Sequence, residues 1–195
     1  MAAIYLVEYG RGTIARLVTF FVDVMTGVPS IVAGLFAYAL FVIFFGPGVR
    51  MGLGGAIALS VLMIPVVIRA TEEMLKIVPN ELREAAYALG VPKWLTVIKV
   101  VLPTALAGIA TGVMISIARV IGETAPLLLT ALSNTSFVFN PIKGPIGSLP
   151  MYIFGMLQIG TENSINRAWT GSFVLLLLVF GLFSLARFIA GKDKR

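Results

Sequence analysis

Cysteine and histidine are both absent from the 195 residues, and aspartate occurs only as Asp23 and Asp193. Without thiols there is no disulfide framework and no thiolate nucleophile. Without imidazoles the usual zinc, haem and proton-shuttle ligands are missing, and two aspartates make a carboxylate metal cluster a poor expectation. Charge is scarce too: 12% of residues are charged and 58% hydrophobic, against roughly 25% and 45–50% in soluble domains. A Gly-x4-Gly-Lys-Ser/Thr phosphate loop is also lacking, so ATP is not bound by that route. No cofactor or metal and no enzymatic activity of its own are expected, and the length leaves no room for a hidden soluble catalytic domain.

What remains is an all-α, polytopic membrane helix bundle forming one domain over 1–195, without internal repeats or low-complexity segments. Apolar runs predict spans at about 19–45, 52–69, 101–132 and 169–190, each near the roughly 20 residues that a bilayer requires. Ala3 to Tyr9 reads as the inner end of a further span. Asp23 belongs near the inner headgroups, since burying it mid-bilayer costs roughly 2.5–3.5 kcal/mol. Pro29 suits a first helical turn, Gly46-Pro47-Gly48 an outer turn, and Pro65 a kink. Gly52, Gly54, Gly55 and Ala58, and likewise Gly108 and Gly112, offer small-residue faces for close helix packing. Ile146 to Leu157 is too short to cross a bilayer and predicts a re-entrant or interfacial piece.

The basic residues orient the chain. Leaving aside Arg119, eleven of them (Arg11, Arg16, Arg69, Lys76, Arg83, Lys93, Lys99, Arg187, Lys192, Lys194, Arg195) fall on one side of these spans and three (Arg50, Lys143, Arg167) on the other. By the positive-inside rule the loop 70–100 and the C-terminus are cytoplasmic and the loop 133–168 is external. The net charge of +6 is accounted for by this asymmetry, and nucleic acid is not an expected partner.

The loop 70–100 carries the most specific pattern. Asn80 reads as the cap of a short helix with Glu81 at its positive end, and Gly90 as the left-handed residue that stops it. Val91-Pro92 then forces a turn, and Lys93 to Val101 a second helix leading into the membrane. Leu82, Ala85, Ala86 and Leu89 recur at helical spacing, giving a narrow apolar stripe of the kind a groove on a partner receives. A surface helix without a partner is the plainer alternative.

Arg119 and Glu123 form the second candidate site. Four residues place them about 6 Å apart along one helix face, with Gly112, Ser116 and Pro126 on the same stripe. Charged groups within a span mark functional sites by default, and the planar donors of a guanidinium match phosphate-type oxyanions. Glu123 holding Arg119 until an anion displaces it would keep binding from becoming too tight. A structural ion bridge, or an arginine snorkelling to the outer headgroups, are the alternatives.

The run Glu84-Ala85-Ala86-Tyr87-Ala88-Leu89-Gly90, nine residues, then Val100-Val101-Leu102-Pro103, resembles the EAA signature of ABC importer permeases, with Val100 where that family more often has isoleucine. Arg119-Val120-Ile121-Gly122-Glu123-Thr124-Ala125-Pro126, Gly27-Val28-Pro29-Ser30 and Ile4-Tyr5-Leu6-Val7-Glu8-Tyr9 are similar to phosphate-specific ABC permeases of the PstA type, and the similarity runs along the whole chain. The resemblance implies the type I importer permease (MetI-like) fold, two further spans upstream, and a multi-pass place in the bacterial inner membrane. It implies inorganic phosphate as substrate and, as partners, two ATPase copies, a homologous second permease and an extracytoplasmic phosphate-binding protein meeting the loop 133–168. It further implies that Glu84, Ala85, Ala86 and Gly90, with Leu82, Leu89 and Pro103, serve ATPase coupling, and that Arg119, Glu123 and Ser116 line the substrate path. An importer of molybdate, sulfate or another solute is the alternative within the class, and a membrane-embedded enzyme or scaffold outside it.

Overall fold

The computed structural model describes residues 1–136, 138–140, 142 and 144–192, the last four of these by backbone alone. The expectations placed on Lys143, Lys192, Lys194 and Arg195 lie outside what is described. Valine–proline pairs punctuate the chain. The residue before a proline is pushed out of the helical region, so helices stop just before Val28-Pro29 and Val78-Pro79, and after Val91-Pro92 a new one begins at Lys93. The result is α1 (Ala2–Ile4, continuing as a wide π-helical turn over Tyr5–Tyr9), α2 (Thr13–Gly27), α3 (Ser30–Phe45), α4 (Gly52–Ile77) and α5 (Asn80–Ala88). Then come α6 (Lys93–Thr96), a second π turn (Val97–Val101), α7 (Leu102–Ile121), α8 (Ala125–Thr130), α9 (Leu149–Ile159) and α10 (Glu162–Lys192). No strand occurs among the described residues.

Among the described residues three helices are long and apolar enough to cross a membrane: Gly52–Ile77, the continuous run Lys93–Ile121, and Glu162–Phe188. α2 and α3 make a fourth only if the broken pair is taken as one span. The expected single run 19–45 is thus two helices, because Pro29 sits extended at φ −60° and ψ 139° as the cap of α3 rather than inside a first turn. The expected run 101–132 also divides. α7 ends at Ile121, 122–124 leave the helix, and Ala125 starts α8 with Pro126 in its first turn, where the missing N–H removes no helical bond. The stripe drawn through Ser116, Arg119, Glu123 and Pro126 therefore does not continue past Ile121. The π turn before Pro103 has the same origin: proline donates no bond back and crowds the preceding turn, so the helix widens there. Thr104 Oγ1 donates to the Val100 carbonyl at 2.7 Å beside it.

The chain gathers into two compact units, one of Met1–Thr26, Ile64–Ser116 and the stretch from Phe183, the other of Gly27–Met63 and Ile117–Leu182. In the first, Leu75, Val78, Val101 and Ala105 form a buried cluster flanked by Ile4, Val7 and Ile109. The glycine face of α7 packs as expected, since a Cβ at Gly112 would stand 2.7 Å from that of Ala70 on α4. In the second, Leu127, Ala131 and Met151 form the core. Gly34 of α3 there lies so close to α8 that a Cβ would meet Pro126 Cα at 2.6 Å. Phe36, Phe44, Leu176 and Phe180 are exposed, as lipid-facing residues of a membrane bundle are.

Candidate functional site

The helix α5 is nine residues long, and Ala86 is its one buried residue. Its end is built as expected. Gly90 takes φ +75°, its N–H donates to the Tyr87 carbonyl at 2.9 Å, and Val91 N–H reaches back to Ala86 at 3.1 Å, closing the double bond pattern that terminates helices at a left-handed glycine. Its start differs. Pro79, extended at ψ 142°, holds the cap position without a side-chain bond, and Asn80 is the first helical residue. Asn80 Oδ1 instead accepts from Arg83 Nη1 at 3.3 Å. Glu84, Leu82, Ala85, Leu89 and Gly90 are exposed, Leu89 at 84%, whereas Ala86 is 7% exposed. The stripe read from the sequence therefore divides: Leu82, Ala85 and Leu89 are open for contact, and Ala86 anchors the helix. Pro103 is exposed in the continuous helix beyond, after the π turn.

The face of α5 opposite that open surface is fastened by charge. Arg83 donates from Nη2 to Glu8 Oε1 at 2.9 Å and from Nε to the same oxygen at 3.2 Å. It also donates from Nη1 to the Val78 carbonyl at 2.6 Å and from Nη2 to the Leu75 carbonyl at 3.0 Å. On the other limb of the loop, Lys93 Nζ donates to the Glu8 carbonyl oxygen and lies 4.9 Å from the centre of the Tyr9 ring. Sequence reading took Arg83 and Lys93 only as inward-facing charge. Glu8, an acid in the apolar run Ala3–Tyr9, was the available sign that a cation had to meet it, since a buried charge without a partner is costly.

Arg119 and Glu123 do face each other, with Nε and Oε1 3.8 Å apart and side chains 60% and 20% exposed. The two nitrogens at the tip of the guanidinium make no hydrogen bond among the described residues. Ser116 is buried, and its hydroxyl donates to the Gly112 carbonyl of its own helix at 2.9 Å. A third charged group escaped the sequence reading. Arg69, set at an inner boundary, donates to Asp23 and, at 2.6 Å, to Glu72 Oε2. This cluster, with Arg16 and Lys76, lines a cavity of about 560 Å³ in the first unit. Asp23 and Arg69 are 46 residues apart, and nothing local in either stretch announces the pairing. Among the described residues no group of three acidic side chains could hold a metal ion.

A short helix with one open face, fastened from behind, thus stands beside helices long and apolar enough to cross a membrane. The family model described as "Binding-protein-dependent transport system inner membrane component" matches residues 1–192, and the chain belongs to that family. It is 46% identical over its whole length to the "Phosphate transport system permease protein PstA 1" of Mycobacterium tuberculosis strain H37Rv, covering 64% of that protein. It is 48% identical over 97% of its length to the "Phosphate transport system permease protein PstA" of Mycobacterium leprae, covering 63% of it. To the protein of that name in Yersinia pestis it is 45% identical over its whole length, covering 65%. The chain thus spans a little less than two thirds of these relatives. Among solved structures, a chain of the one described as "Inward facing conformations of the MetNI methionine ABC transporter: CY5 native crystal form" superposes over all of this chain and 85% of its own, with a TM-score of 0.77 at 22% identity. The expected MetI-like importer permease fold is the fold observed.

Proposed function

We propose that the chain is a permease subunit of an ATP-driven inorganic phosphate importer in the bacterial inner membrane, driven by a separate ATPase that docks on α5. The observation that carries this reading is the exposed face of Leu82, Ala85 and Leu89 on a helix stopped by Gly90 and fastened from behind. Phosphate as the substrate is supported by the names of relatives 45–48% identical along nearly the whole chain. The working complex contains two ATPase copies, a homologous second permease and an extracytoplasmic phosphate-binding protein that meets the loop 133–168.

Closure of the ATPase pair moves α5, and the spans alternate between outward and inward access. Arg119 takes the oxyanion. Its tip nitrogens present the planar fork that matches phosphate, and Glu123 at 3.8 Å is close enough to steady it yet too far to occupy it. Ser116 shapes that path by backing the helix rather than by donating to the anion, since its proton is already committed to Gly112. Glu84, Ala85, Ala86 and Gly90 set the docking geometry, and Pro103 marks where the loop becomes span. The test is uptake by the reconstituted full complex in proteoliposomes. Radiolabelled phosphate should accumulate on ATP addition, and unlabelled sulfate or molybdate in tenfold excess should not compete. Equal competition by either would contradict the choice of phosphate.

A further inference from the structure

We infer that Glu8 and Arg83 form a mechanical clamp that makes α5, the end of α1 and the end of α4 move as one piece. The inference rests on the importer reading above and adds to it the means by which movement of α5 reaches the spans.

Very little packing holds α5 in place. Ala86 is its only buried residue, and one methyl group cannot fix the angle of a helix. The guanidinium of Arg83 can. Its five N–H groups form a rigid planar fork, and its three nitrogens are all engaged: Nε and Nη2 on Glu8, Nη2 also on Leu75, Nη1 on Val78 and Asn80. The two carbonyls belong to the last residues of α4 and the turn after it, so one side chain ties α5 to both neighbours. Glu8 and Arg83 side chains are only 4% and 12% exposed. A buried pair of this kind is seldom worth more to stability than apolar residues of the same volume. What it adds is direction, and direction is what a helix pushed from outside has to transmit.

Lys93 fastens the other limb of the loop. Its ammonium reaches the Glu8 carbonyl and stands over the Tyr9 ring, so the segments on either side of Gly90 are both tied to Glu8, and the second also to Tyr9. Those residues lie in a π-helical turn, Tyr5–Tyr9, followed at once by Gly10. Such turns recur at functional positions in helices. Glu8 is therefore a positioning residue: it touches neither substrate nor nucleotide and acts through α5.

The test uses the full complex in proteoliposomes, with the wild type, Glu8→Gln, Arg83→Lys and the double variant. Three quantities are read: ATPase subunits retained on purification, ATP hydrolysed without phosphate, and phosphate imported per ATP. The clamp predicts full retention of the ATPase, raised phosphate-independent hydrolysis, and a ratio of phosphate to ATP lowered about tenfold in each single variant, within the range of coupling between linked sites. The double variant should be no worse than either single one, because both remove the same link. An unchanged ratio in assembled variants overturns the clamp, and so does loss of assembly in both single variants, which would make the pair a purely structural brace. Failure of the wild type to import phosphate would sink the importer reading and the clamp with it. Import by the wild type with unchanged variants sinks the clamp alone.

Discussion

Arg83 and Glu8 lie 75 residues apart in sequence yet meet at 2.9 Å with side chains 12% and 4% exposed, whereas Arg119 and Glu123, one helical turn apart, stop at 3.8 Å with side chains 60% and 20% exposed. The residue types are the same and the physical situations opposite. In the first pair both charges have left solvent, every nitrogen of the arginine has a partner, and exchange for another ligand would leave a buried carboxylate alone, at a cost of several kcal/mol. In the second, the attraction is worth about 0–1 kcal/mol, and an arriving oxyanion can displace the carboxylate at little cost. The first pair is arranged to hold, and the second leaves its arginine open to exchange.

The largest effect is expected at Arg83. Arg83→Ala strands Glu8 and should cost about 3–5 kcal/mol in unfolding of the purified complex, read from denaturant midpoints at fixed detergent. A cost under about 1 kcal/mol would place the pair with surface ion bridges and remove the contrast. Arg119→Ala should do the reverse. Its stability change should stay within about 0.5 kcal/mol, while phosphate uptake falls about tenfold to hundredfold, the equivalent of charged hydrogen bonds worth about 1.5–3 kcal/mol. Uptake at the wild-type rate would make this pair a surface bridge and return the substrate path to other residues.

Much of this was legible in the sequence where the cause is local. Gly90 as a left-handed stop, the helix after Pro92, and the small-residue faces at Gly55 and Gly112 follow from rules acting within a few residues, and each is observed. The helix start at Asn80 was misplaced because Pro79, with φ set near −60°, takes the cap position before a side-chain cap is needed. The break after Ile121 was announced by Gly122 and Pro126, but apolar character on both sides favoured one long run. Glu8–Arg83 and Asp23–Arg69 were out of reach for a different reason. Their partners come from distant segments, and no local pattern encodes which basic residue meets which acid.

The account turns on α5 meeting an ATPase through its open face. Because the chain contains no cysteine, Leu89→Cys and Ala86→Cys each introduce a single reporter, one on the exposed face and one on the buried face. In the assembled complex a short bifunctional cross-linker should join Leu89→Cys, and not Ala86→Cys, to the ATPase subunit. Absence of that product, or labelling of Leu89→Cys in intact cells by a reagent confined to the outer side of the inner membrane, would contradict it.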